Sequence, residues 1–186
     1  MAQNGIRRLH DRVKEMADCV TGLSSPPDFA LCSVGQVILE VFQTLQVLAR
    51  EKQITLRTEG LESLPGFHAD ERRLYNAFYN LINNALPETP QGGSITVRGH
   101  LDQDTGGIAL AVADTGRGMP PETRDRLFSA KAVSTKKTGT GLGTKIVKDV
   151  VDAHRGRIWV ESEPGAGTTF HLWFPLNPTA PHAQSR

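Results

Sequence analysis

Residues 69–86 read ADERRLYNAFYNLINNAL. A step of about 100° per residue puts Leu74, Phe78, Leu81 and Ala85 on one side of a helix and Asn76, Asn80, Asn83 and Asn84 on the other. Asp70 stands where an N-cap belongs, so a helix is expected from there to about Leu86. Its apolar side asks for a core. Its amide side needs another explanation, because asparagine costs up to ~0.7 kcal/mol against alanine, and four of them forgo about 2–3 kcal/mol. One reading is a solvated polar face. The other is a metal site: the amide oxygen is a neutral, hard donor suited to Mg²⁺, and Asn80 and Asn84 lie one turn apart.

On the C-terminal side, SITVRGHL and IALAVAD alternate like strands around a Gln/Asp/Gly turn, and Pro120 opens a short helix to about Phe128. Residues 129–140 read as a loop and 141–154 as a helix. RIWVES and TTFHLWFPL read as a hairpin around Glu163 to Gly167. On the N-terminal side, Ser33 starts a helix through about Lys52, followed by the strand ITLRTEG. Farther out, IRRLHDRVKEMADCV has the three-and-four apolar spacing of a separate amphipathic helix, stopped by Ser24-Ser25-Pro26-Pro27. Two hairpins among irregularly alternating elements argue against a doubly wound parallel sheet. The expected fold is α+β: a two-layer α/β sandwich with a mixed, mainly antiparallel sheet covered by helices, preceded by one N-terminal helix. Residues 1–25 form that helix, 26–176 the main domain and 177–186 a disordered tail.

Two further stretches carry chemistry. In IALAVADTGRGMPPE, Asp114 ends a strand and is followed by Gly116 and Gly118. A carboxylate there accepts N–H donors such as the exocyclic amine of adenine, and glycines admit a flat base. The plainer reading is a turn in which Asp bonds its own backbone. In STKKTGTGLGTK, residues 134–145, glycines enter a helix beside Lys136 and Lys137. The P-loop pattern fails because Thr144 separates Gly143 from Lys145, and the dinucleotide fingerprint fails because no strand precedes the loop. A helix start with free N–H groups and nearby cations still suits an anionic ligand.

Composition narrows the class. Lys+Arg 21 against Asp+Glu 20 gives a net charge of +1 and no electrostatic case for nucleic acid. No run approaches the roughly 20 apolar residues of a membrane span, and the start lacks a secretory signal, so a cytoplasmic setting without direct membrane contact is expected. Cys19 and Cys32 have neither metal-ligand spacing nor the density of a disulfide scaffold, and read as reduced structural thiols.

Taken together, the motifs resemble the ATP-binding catalytic domain of sensor histidine kinases, in the wider family of gyrase, Hsp90 and MutL with its Bergerat fold. YNLINNAL resembles the family's N box, DTGRGM its G1 box, Leu127-Phe128 the start of its F box, GTGLG its G2 box and GAGTTF its last glycine motif. They occur in the family's order over about residues 29–176. NALPETPQGG follows the subgroup pattern NALxAMPxGG. The resemblance implies ATP and Mg²⁺ as ligands, with Asn84 on the metal and Asn80 supporting metal and phosphates. It implies Asp114 on the adenine amine, Gly116 and Gly118 shaping the base pocket, and Thr168 joining through water. Gly139, Thr140, Gly141, Leu142 and Gly143 would meet the phosphates with their backbone, Lys136 adding charge, under a lid over about 127–142. The implied partners are a histidine-bearing dimerisation hairpin, of the same or another chain, and a response-regulator receiver domain.

The chain departs from the family pattern in four places. FSAKAVSTK replaces FEPFFTTK with one extra residue and no inner aromatic, Pro87 and Glu88 stand where a basic and an aromatic residue are usual, and Thr144 follows GLG. His10 lies in RRLHDRVKEM, which lacks the acceptor-histidine pattern, so the chain is expected to lack its own phosphoacceptor. Residues 6–24 would then be the end of the hairpin's second helix or its replacement. The implied activity is ATP-dependent histidine phosphorylation; the alternatives are a nucleotide sensor or scaffold without transfer, and a serine kinase acting on a regulatory partner. His68 and His154 read as structural, His154 near a helix C-terminus where a cation is favoured.

Overall fold

The computed structural model describes residues 26–127 and 142–178. The helix expected over 6–20 and most of the expected lid lie outside the described residues. The elements in chain order are β1 (Ala30–Cys32), α1 (Val34–Glu51), β2 (Thr55–Glu59), a 3₁₀ turn (Leu61–Ser63), β3 (Phe67–Ala69), α2 (Glu71–Ala85), β4 (Ser94–Asp102), β5 (Gly107–Asp114), α3 (Pro121–Arg126), α4 (Leu142–Ala153), β6 (Arg157–Glu163) and β7 (Gly167–Pro175).

A five-stranded sheet runs in the order β2-β4-β5-β7-β6. Only β2 and β4 are parallel; the other pairs are antiparallel. Period-2 alternation turns Ile108, Leu110 and Val112 of β5 and Leu172 and Phe174 of β7 into the core, while Ala109, Ala111 and Trp173 alternate with them and keep some exposure. The helices close the core from one side. Val37, Ile38, Val41 and Leu45 of α1, Leu74, Phe78, Leu81 and Ile82 of α2, and Ile146, Val147, Val150 and Val151 of α4 are all buried in it. The two-layer α+β sandwich with a mixed, mainly antiparallel sheet is therefore the observed architecture.

The helix ends explain the element boundaries. Asp70 caps α2, its Oδ1 accepting the Arg73 N–H at 3.0 Å. Ser33 precedes α1 without a side-chain cap. α1 stops in a Schellman arrangement, with Gln53 N–H donating to Arg50 O, Ile54 N–H donating to Ala49 O, and Gln53 at φ 55°. α4 stops the same way at Arg155, φ 53°. Neither stop carries the glycine that sequence rules look for.

One pair of strands has no counterpart in the sequence reading. β1 pairs with β3 antiparallel, Cys32 opposite Phe67, in a separate two-stranded sheet. Three-residue strands are too short to show an alternation, so periodicity cannot reveal them.

Candidate functional site

α2 supplies the wall of the site. Asn80 is 6% exposed, its Nδ2 donating to the Asn76 carbonyl at 2.8 Å. That bond fixes the amide and leaves Oδ1 as the acceptor on the outward side. The outward side faces α4. A Cβ placed on Gly143, the second residue of α4, would lie 3.0 Å from Asn80 Oδ1 and 3.1 Å from Asn84 Nδ2. Glycine thus lets the start of α4 come flush against both amides. The first turn of α4 carries no acidic residue, which suits a helix start that meets an anion. The fold therefore brings Asn80, Asn84 and Gly143 together. Leu142 begins α4, whereas Lys136, Gly139, Thr140 and Gly141 lie outside the described residues.

α4 is held in that register from its other end. His154, 1% exposed, accepts the Asp70 N–H on Nε2 at 2.9 Å. An amide nitrogen can only donate here, so the ring hydrogen sits on Nδ1 and goes to Val150 O at 2.8 Å. Burial pushes the imidazole below the ordinary histidine value, and the ring is neutral. The cation favoured at a helix C-terminus is absent because the same ring must accept a hydrogen bond inside the core.

The second half of the site lies at the ends of three neighbouring strands. Asp114 closes β5, Thr168 opens β7 opposite it, and Ser162 of β6 stands opposite Thr168. Asp114 Oδ1 accepts N–H groups from Gly116 at 2.8 Å and Thr168 at 3.3 Å. The self-bonding turn is thus present, and it uses one carboxylate oxygen. Among the described residues no donor reaches Oδ2 of this partly buried group. Burial pushes the Asp114 pKa up; the Gly116 and Thr168 bonds oppose the shift, nearby Glu88 adds to it, and the net direction is upward.

Glycine is needed here for the loop's own packing. Gly118 has φ 67°, and a Cβ on it would collide with the Glu163 carbonyl. A Cβ on Gly116 would lie 2.6 Å from Asp114 Oδ1 and 2.8 Å from Glu88 O. Gly165 N–H also donates to Arg117 O at 2.7 Å, fastening the loop to the β6–β7 turn.

α2 joins the two halves. Asn80 and Asn84 meet Gly143, and Glu88, just beyond the helix, accepts the Arg117 N–H at 3.2 Å and pairs its carboxylate with Arg117 Nε at 2.5 Å. Sequence reading missed Ser162 and the Glu88–Arg117 pair. Ser162 carries a signal in hindsight: a polar residue on the core-facing side of a strand. The Arg117 pairing carries none, since the two residues lie far apart in sequence.

Other candidates remain outside the site. Cys32 is a buried free thiol, pushed up to about 11 by burial first and by Glu71 and Asp70 next, so it stays protonated and inert. Among the described residues no group of His, Cys, Asp and Glu forms a metal cluster, and no helix is long and apolar enough to cross a membrane.

Comparison with known proteins bears on this arrangement. The family described as "Histidine kinase-, DNA gyrase B-, and HSP90-like ATPase" matches residues 69–178. The adaptive-response sensory kinase SasA of Trichormus variabilis is 33% identical over 149 residues, covering 78% of this chain and 37% of that protein. The sensor histidine kinase ZraS of Escherichia coli is 33% identical over 171 residues, covering 91% of this chain and 36% of that protein. The chain thus spans a little over a third of the length of these relatives. The nucleotide-free catalytic domain of histidine kinase ThkA superposes with a TM-score of 0.71 at 29% identity, over 81% of this chain and 97% of that one.

Proposed function

Because the chain belongs to the family of histidine kinase-, DNA gyrase B- and HSP90-like ATPases, in the form that sensor histidine kinases carry, we propose that it positions Mg²⁺-ATP for transfer of the γ-phosphate to a histidine. That histidine sits on a dimerisation hairpin of the same or another chain, and a response-regulator receiver domain takes the phosphate onward. The observation that carries the reading is the close approach of Gly143 to Asn80 and Asn84, which sets a helix start suited to an anion against the amide side of α2, Asn80 Oδ1 included.

Each residue has a task in this reading. Asp114 accepts the adenine amine on Oδ2, the carboxylate oxygen left over by the turn, with Gly116, Gly118 and Thr168 completing the base end. The backbone of 139–143 meets the phosphates, and Lys136 adds charge. Asn84 would hold the metal, and Asn80 would support metal and phosphates. The donor set fits Mg²⁺: the bond from Asn80 Nδ2 to Asn76 O orients the amide and leaves its oxygen as a neutral, hard donor of the kind this ion takes beside phosphate oxygens. When bound, the ion neutralises triphosphate charge, and positioning does most of the remaining work in phosphoryl transfer.

The test is incubation of the chain with radiolabelled ATP, Mg²⁺ and the histidine-bearing hairpin as a separate fragment. Acid-labile, base-stable label on the hairpin supports the proposal. ATP binding without label on the hairpin makes the chain a sensor or scaffold, and acid-stable label makes it a serine kinase; either result overturns the proposal.

A further inference from the structure

A second carboxylate stands beside Asp114. A Cβ placed on Gly116 would lie 2.6 Å from Asp114 Oδ1 and 2.8 Å from the Glu88 carbonyl oxygen, so the residue beyond α2 and the residue closing β5 flank the same point of the loop. Glu88 is fixed there by its backbone, its N–H donating to Ala85 O at 3.0 Å and its carbonyl accepting the Arg117 N–H at 3.2 Å. A negative charge in that place works against Asp114, which accepts most readily when ionised. Burial is the larger cause of the raised Asp114 pKa, and the Glu88 charge adds to it. Whatever cancels the Glu88 charge therefore acts on Asp114.

Arg117 supplies the opposite charge, its Nε 2.5 Å from Glu88 Oε2. Its backbone is held independently, by the bond to Glu88 O on one side and on the other by the Gly165 N–H, which donates to Arg117 O at 2.7 Å. The Arg117 side chain is 70% exposed and that of Glu88 24%, and a pair so open to water contributes little to stability. Removing the guanidinium thus leaves the loop in place and changes the charge. The strands beside Asp114 set uncharged residues against it: Ile95 of β4 and Thr168 of β7 stand opposite, with Ser162 of β6 beyond. Among the described residues the charged side chain that acts on Asp114 is Glu88.

We propose that Arg117 is a positioning residue for the base end of the cleft: it anchors the Glu88 side chain and cancels its charge, so that the Asp114 carboxylate stays an acceptor for the N–H donor of a ligand. Arg117 acts through Glu88 and needs no contact with the nucleotide. Without it, two like charges face each other across the loop, and a proton on either is held more tightly. This rests on the reading that Asp114 anchors the base of ATP.

Carbon-13 NMR of the aspartate side-chain carboxyls in the full chain follows Asp114 directly, its signal assigned by its loss in Asp114→Asn. Arg117→Ala is expected to move the Asp114 midpoint to higher pH, Glu88→Gln to move it lower, and Arg117→Lys to keep it near that of the parent. In the Glu88→Gln background, Arg117→Ala moves it little. A midpoint that Arg117→Ala leaves in place overturns the proposal, as does an equal shift with and without Glu88, which makes Arg117 act on Asp114 directly. Calorimetry with Mg²⁺-ATP, comparing each variant with the parent at the same pH so that the nucleotide's own titration cancels, separates the two levels. Affinity of Arg117→Ala that falls on the acid side and matches the parent at neutral pH supports the proposal. A loss of equal size at every pH makes Arg117 a contact of the nucleotide and overturns it. A midpoint that moves while affinity does not follow sinks the base-anchor reading, and the use of the pair with it; a midpoint that stays sinks the role of Arg117 alone.

Discussion

The Asp70 N–H donates to His154 Nε2 at 2.9 Å, tying the start of α2 to the end of α4. Asp70 also caps α2, sits 3.2 Å from Arg73 Nε, and accepts the Asp28 N–H at 3.1 Å. The two helices run antiparallel from this knot, and Gly143 meets Asn80 and Asn84 at the far end of α4.

His154→Ala leaves a buried amide hydrogen without an acceptor and a cavity between Phe29 and Phe174, whose rings pack edge-on to the imidazole. The expected cost is about 3 kcal/mol or more, read from urea denaturation. The pH dependence follows from the lowered imidazole pKa. The unfolded chain takes up the proton first, so the His154 contribution is complete above about pH 6.5 and is lost as pH falls toward the folded value. The variant lacks this acid-side loss.

Gly143→Ala separates the site from the fold. A methyl group there sits 3.0 Å from Asn80 Oδ1, and the amides must give way. Alanine favours the helix by about 0.5–1 kcal/mol, which offsets the crowding in a melting experiment. Melting temperature is expected to change little, while Mg²⁺-ATP affinity drops about tenfold, ~1.4 kcal/mol. Equal losses in both would make Gly143 a packing residue only.

Asp114→Asn keeps an oxygen for the Gly116 and Thr168 N–H groups and places amide hydrogens where Oδ2 was, and ATP affinity is expected to fall by about thirtyfold or more, ~2 kcal/mol. In the unsubstituted chain, affinity declines on acidification with a midpoint above the ordinary aspartate value, because burial raises the Asp114 pKa and binding needs the carboxylate. Stability has the opposite sign. With its folded value raised, Asp114 contributes stability below its unfolded pKa, and that contribution disappears as pH rises through the folded one. Calorimetric titrations across the acid range show the midpoint in the parent chain and its absence in Asp114→Asn.

The amide-bearing helix was legible because its face repeats over four turns with a capping aspartate at its start. The two hairpins were legible from alternation, and they fixed the mixed sheet. What stayed hidden depends on contacts distant in sequence. β1 and β3 are three residues each and exist only as a pair. His154 looks like a helix-end histidine until Asp70 is seen to donate to it. Gly116 and Gly118 read as openings for a base, yet their bare Cα atoms also accommodate Glu88 and Glu163 carbonyls. The carboxylate, amides and glycines of the site can be picked out one by one; the contacts of Ser162 with Met119, Gly167 and Thr168 emerge only once β6 and β7 are paired.

The central claim is that one nucleotide lies along α2, its base at Asp114 and its phosphates at the start of α4. Amide shift mapping of the ¹⁵N-labelled chain on addition of Mg²⁺-ADP tests it most directly. The account predicts the largest changes at Gly116, Thr168, Asn84 and Gly143 together. Changes confined to β1, α1 or the outer face of the sheet, with those four amides unmoved, would contradict it.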